Sequence, residues 1–182
     1  VSREVWKYAL ALALVVGSAL AFVRLQDTKG YGLRTGDPAP LFTLPDLGGK
    51  DLSLQSQRGK LVLVNFWGTF CAPCVAEMPS LEKLHETLSG DGLVVVGVAV
   101  DESARDVEQF VKEKGIHFTI LQDPGGRKAA ELYRTTGYPE TFIVSSSGTL
   151  LEKYVGPAEW DDPGALRHFR DLLSAARTSP TR

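Results

Sequence analysis

The sequence predicts an α/β domain with a mixed central sheet flanked by helices, preceded by one N-terminal hydrophobic helix. Three observations carry this reading. Residues 61–67 (LVLVNFW) and 93–100 (LVVVGVAV) are apolar runs of strand length, as expected of strands buried on both faces. Stretches of helical spacing follow each of them. A hairpin signal, Ser146-Ser147-Gly148, lies between two further short runs. With 182 residues, 43% of them hydrophobic, the chain can form one packed domain plus a short extra segment.

Residues 8–23 (YALALALVVGSALAFV) carry no charge. As a helix they would span about 24 Å at ~1.5 Å per residue, slightly short of a bilayer core of about 30 Å. Trp6 can extend the span, and Lys7 and Arg24 can reach toward headgroups. An uncleaved signal anchor is the favoured reading. A cleaved signal peptide is the alternative, because Ala19-Leu20-Ala21 has the small-x-small form of a processing site. Arg3 and Lys7 before the segment and Arg24, Lys29 and Arg34 after it balance too closely to set its orientation. The resulting division is anchor or signal peptide over 1–25, linker over 26–40 (QDTKGYGLRTGDPAP) and folded domain over 41–178.

Within the domain, residues 41–44 and 51–54 are short extended stretches around Gly48-Gly49. After the first buried strand, residues 74–88 place Val75, Met78, Leu81, Leu84 and Leu88 at helical spacing. After the second, residues 103–114 form a helix that Ser103 can cap and Gly115 can end. Residues 118–121 are a third strand and 126–134 a short helix. Residues 141–144 and 150–155 make the hairpin, and 163–176 a closing amphipathic helix with Pro163 in its first turn. This order gives a mixed sheet with helices on both faces.

The formal net charge is −2 without long single-sign runs, so no nucleic-acid surface is expected. The three histidines are far apart and form no metal-ligand pattern. The two cysteines, Cys71 and Cys74, are too few and too close for a disulfide framework and read as chemical groups. They sit where a buried strand gives way to a helix. Free N–H groups at a helix start favour negative charge, and cysteine pKa values in such motifs fall from ~8.5 to about 3.5–7.5. Cys71 is then the exposed nucleophile and Cys74, one turn on, the resolving thiol. Such a pair is about 5–6 Å apart between Cα atoms, within disulfide reach.

Neighbouring residues weigh against other chemistries. Covalent haem attachment needs His directly after the second cysteine, where Val75 stands. Structural zinc needs a second ligand pair. A thiol peroxidase usually has Thr or Ser three residues before its cysteine, where Gly68 stands. A purely structural clip closing so short a loop would stabilise little.

The stretches VNFWGTFCAPCVAEMPSL (64–81) and GYPETFIV (137–144) together resemble the TlpA/ResA-type, membrane-anchored branch of the thioredoxin superfamily. The resemblance runs from Gly36 to the end of the last helix and implies a thioredoxin-like fold. It also implies Cys71 as attacking and Cys74 as resolving thiol. Pro139 would be the family's cis-proline, with the Tyr138 backbone offered to a substrate peptide as an added strand. Asn65 stands where typical thioredoxins have a titratable Asp. Glu77 resembles the acidic residue of CxxCxxE and becomes the expected proton acceptor from Cys74. Glu140, next to Pro139, is a second candidate for the proton role, and could instead contact substrate or simply face water. Phe70 stands where the family usually has Trp, keeping an aromatic platform without the indole donor.

The implied function is an anchored thiol–disulfide oxidoreductase with no cofactor or metal beyond its own redox-active disulfide. It would reduce protein disulfides on the periplasmic or outer side of a bacterial inner membrane, or as a soluble periplasmic protein if the N-terminal segment is cleaved. The substrates implied are apocytochrome c or copper-site cysteines of oxidase assembly, with re-reduction by a membrane thiol electron donor. The alternatives are a metallochaperone-like binding module on the same fold, which would want a distant His at the pair, and a thiol peroxidase.

Overall fold

The computed structural model describes residues 12–18 and 32–178. The chain divides into two compact units, Val1–Gly32 and Leu33–Arg182. In the first, residues 12–18 are helical, with Leu12, Leu14, Val15 and Val16 exposed. Among the described residues no helix is long and apolar enough to cross a membrane. The remainder of the hydrophobic segment expected over 8–23, its candidate processing site at 19–21, and the linker as far as residue 31 lie outside the described residues.

The second unit runs β1 (Thr43–Pro45), β2 (Asp51–Ser53), β3 (Leu61–Trp67), α1 (Ala72–Leu88), β4 (Leu93–Ala99), α2 (Ala104–Lys114), β5 (Thr119–Gln122), α3 (Ala129–Leu132), β6 (Glu140–Val144), β7 (Leu150–Val155) and α4 (Pro163–Thr178). β1 and β2 pair antiparallel on their own. The other strands form one sheet in the order β5-β4-β3-β6-β7. β3, β4 and β5 are parallel, whereas β6 is antiparallel to both β3 and β7. Parallel neighbours need crossovers, which α1 and α2 provide.

β3 is central, and all seven of its residues are buried. Alternation along the strand sends Leu61, Leu63 and Trp67 to one face and Val62, Val64 and Phe66 to the other. The first face packs against Cys74, Met78, Leu81, Leu84 and Leu88 of α1, Val107 of α2, and Phe169 and Leu173 of α4. The second packs against Leu44, Leu54, Ala129, Ala130 and Tyr133. The mixed sheet is therefore flanked by helices as expected, but its second face is covered mainly by short elements.

Two local differences have physical causes. The expected helix over 126–134 shrinks to Ala129–Leu132, because Gly126 at its start and Arg134 at its end both take left-handed backbone. Gly126 also allows a close approach: a Cβ there would lie 2.9 Å from the Tyr138 hydroxyl. The last linker residues are tied into the fold, with Gly36 N–H donating to Leu150 O (2.8 Å) and Ala39 N–H to Gly148 O (2.9 Å).

The second face yields a stability prediction. Phe142 is fully buried, with ring centroids 4.9 Å from Tyr133 and 5.8 Å from Phe66. Phe142→Ala is expected to cost about 3–5 kcal/mol, seen as a lower urea midpoint at unchanged m-value.

Candidate active site

The Cys-Ala-Pro-Cys motif lies where β3 ends and α1 begins. Cys71 is the N-cap of α1, in extended backbone, and Pro73 sits in the first turn. The missing N–H of Pro73 costs no intrahelical bond there. The two cysteines form a disulfide with a Cα–Cα distance of 5.2 Å. Cys71 is partly exposed, whereas Cys74 is fully buried. The Cys74 N–H donates to Cys71 Sγ at 3.3 Å. Once the pair is reduced, that bond and the helix start favour a thiolate on Cys71.

The loop before the motif is anchored from β4. Thr69 N–H donates to both carboxylate oxygens of Asp101 at 3.1 Å, and the Thr69 hydroxyl also donates to Asp101. Asp101 follows β4, the parallel neighbour of β3, so the sheet pairing itself delivers this anchor.

The Tyr138–Pro139 bond is cis, and Tyr138 O lies 3.5 Å from Cys71 Sγ. In the disulfide, Sγ has no proton, so this is a contact; in the reduced state the carbonyl can accept from the Cys71 thiol. The Phe70 ring is 68% exposed and stands edge-on to the Tyr138 ring at 6.5 Å. Phe70, Cys71 and Tyr138 are thus brought together at the surface. Glu140 is not part of that surface, which corrects the expected substrate contact. It is fully buried, accepts from Thr136 N–H (3.0 Å) and the Thr136 hydroxyl (2.7 Å), and pairs with Lys153 Nζ at 2.9 Å. A carboxylate so enclosed holds the 136–140 turn to β7.

Glu77 is 3% exposed, beneath the motif. Its place three residues after Cys74 puts both on the buried stripe of α1. Asn65 Nδ2 donates to Glu77 Oε1 (2.8 Å) and to Thr141 Oγ1 (2.9 Å). Ala158 N–H (3.1 Å) and Trp160 Nε1–H (3.0 Å) both donate to Glu77 Oε2. Burial lifts the carboxyl above the ordinary glutamate pKa, and the hydrogen bonds from Trp160, Ala158 and Asn65 oppose that rise without cancelling it. The arrangement makes this carboxyl a better proton acceptor than an ordinary glutamate, one helical turn from a buried thiol.

Trp160, Ala158, Thr141 and Asp101 were not visible as site residues in the sequence. The available signal was Asn65, a polar residue inside an apolar strand. Parity places it on the α1 face with Leu63 and Trp67, where a buried amide needs partners. Among the described residues no group of three or more His, Cys, Asp or Glu is placed to hold a metal ion.

Residues 35–153 match the AhpC/TSA family. The chain is 36% identical over 155 residues to the thioredoxin-like protein YneN of Bacillus subtilis (strain 168), covering 83% of this chain and 89% of that protein. It is 34% identical over 144 residues to the thiol-disulfide oxidoreductase ResA of the same organism, covering 79% and 78%. Among solved structures, it is similar to a thiol:disulfide interchange protein from Bacteroides sp., with a TM-score of 0.68 and 28% identity over 80% of this chain and 94% of that one.

Proposed function

The chain belongs to the AhpC/TSA family, among its ResA-type thioredoxin-like thiol–disulfide oxidoreductases, and from that membership we propose that it reduces protein disulfides outside the cytoplasm through an ordered Cys71–Cys74 pair. The observation that carries this is the asymmetry of the pair: Cys71 partly exposed at a helix start beside the Tyr138 carbonyl, Cys74 fully buried beneath it.

In the reduced enzyme, the Cys71 thiolate attacks one sulfur of a substrate disulfide. A mixed disulfide forms and the first substrate thiolate leaves. Cys74 then gives its proton to Glu77 and attacks Cys71 Sγ. The second substrate thiolate leaves and the Cys71–Cys74 disulfide closes. Two electrons have passed to the substrate, and a thiol donor must return them. Phe70 and the Tyr138 backbone border the attacked position and offer a substrate peptide an aromatic surface and a strand edge.

Apocytochrome c disulfides or copper-site cysteines are the substrates proposed, with a membrane thiol carrier as donor. The domain would be held at the bacterial inner membrane by the N-terminal hydrophobic segment. The exposed Leu12, Leu14, Val15 and Val16 support that role, since such side chains are better placed in lipid than in water. The names of the relatives favour this reading over a peroxidase or a metal carrier.

Trapping tests it. Reduced Cys74→Ser protein mixed with a disulfide-closed CxxCH peptide should accumulate a mixed disulfide on Cys71. Cys71→Ser should accumulate none. The reverse pattern would overturn the order of attack.

A further inference from the structure

The Glu77 carboxylate is held differently at its two oxygens. Oε2 accepts from Ala158 N–H and from the Trp160 indole N–H. Both groups can only donate, so neither could accept from a protonated Oε2. Oε1 faces Asn65, whose Nδ2 donates both to it and to Thr141 Oγ1. The other end of that amide, Oδ1, is buried and has no hydrogen-bond partner among the described residues. Among the described residues the amide is therefore hydrogen-bonded along one edge only, with no hydrogen bond at the far end to be broken when it rotates.

We propose that Trp160 and Asn65 divide the carboxylate between them: the Trp160 indole fixes Oε2 as a standing acceptor, and the Asn65 amide turns over to receive the proton that arrives on Oε1. This rests on the reading that Glu77 takes the proton of Cys74. The two orientations of Asn65 are matched to the two states of Glu77. With Glu77 ionised, the two N–H donors of Nδ2 serve Oε1 and Thr141. With Glu77 protonated, the two lone pairs of Oδ1 accept from the Glu77 O–H and the Thr141 hydroxyl. An Asp at position 65 would instead set one carboxylate against another.

Trp160 is built as a positioning residue. Its backbone N–H donates to Ser80 Oγ (3.2 Å), whose hydroxyl donates to Glu77 O (2.8 Å). Its ring packs on Tyr154 at 5.2 Å and Phe169 at 6.2 Å. Among the described residues, the groups facing the carboxylate bring no cation. β3 presents Asn65, the β7–α4 loop Ala158 and Trp160, and α1 places Cys74 one turn back, while Thr141 of β6 holds the amide. Beyond Trp160, Tyr154 donates to Glu152 (2.6 Å), which also pairs with His168 (2.8 Å).

Two measurements on the full chain test this. In the unaltered, disulfide-closed protein, the Asn65 side-chain N–H resonances should move with the same midpoint as the Glu77 carboxyl carbon in a pH titration. Trp160→Phe keeps a ring and removes the donor. It should raise that midpoint by about one pH unit, the loss of one hydrogen bond to a charged group. The pH profile of the resolving step should follow, and in a Glu77→Gln background it should not. Asn65 signals indifferent to the titration, or an unmoved Glu77 midpoint in Trp160→Phe, overturn the inference. If instead Glu77→Gln alone leaves the pH profile of resolution unchanged, it is the proton role of Glu77 that fails, while the two midpoints still decide how Trp160 and Asn65 hold it.

Discussion

Replacing Cys71 by serine is expected to abolish turnover of a disulfide substrate. Cys74→Ser is expected instead to release one equivalent of substrate thiol and stop. A hydroxyl is a weak nucleophile at its free pKa, and no general base touches position 71 among the described contacts; its neighbours are the Cys74 N–H and the Tyr138 carbonyl. What activates Cys71 is charge stabilisation at the start of α1, which lowers a thiol pKa into a useful range and leaves a hydroxyl far above it. Cys74 is fully buried and its partner is Cys71 Sγ, so it completes the reaction without starting it. Rapid quenching with spectroscopic counting of released thiol separates the two variants. Alkylation should modify Cys71 first, with an apparent pKa well below the free value of ~8.5. Persistent turnover in Cys71→Ser would sink the assignment.

The parts of this site readable from sequence are those fixed by local pattern. β3 and β4 are buried on both faces, so their runs are apolar apart from Asn65, and the motif falls at the strand-to-helix junction. The spacing of Cys74 and Glu77 places both on one helical stripe. What could not be read depends on contacts between distant segments. Trp160 lies in a loop, and its bond to Glu77 spans 83 positions. Glu140 looked like a surface residue beside Pro139 because a charged side chain is seldom fully buried. Its burial depends on Lys153, opposite Phe142 in β7, reaching in to pair with it. The helix expected over 126–134 is shorter because Gly126 at its start and Arg134 at its end both take left-handed backbone, which apolar spacing does not reveal.

Glu77→Gln should slow the resolving step by about a hundredfold, the lower range for loss of general acid–base assistance. It should also change how stability depends on pH, measured on the disulfide-closed chain, where neither cysteine titrates. Below about pH 4, near the unfolded glutamate value, both states of the wild type hold the proton. As pH rises past that value, the unfolded chain releases its proton first, because burial holds the folded pKa higher. Wild-type stability therefore declines through this window and levels off once Glu77 has ionised in the folded state. Gln stays neutral throughout, so the comparison should shift steadily in favour of Glu77→Gln across the window and then hold constant. Its amide also fits the site. The oxygen can accept from Ala158 and Trp160, and the amide nitrogen can donate to an Asn65 that has turned its Oδ1 forward. Chemical denaturation at a series of pH values reads this directly. A wild type that instead gained on Glu77→Gln with rising pH would mean that the three donors outweigh burial. The carboxylate would then be held ionised, and Glu77 would be a poor acceptor for the Cys74 proton.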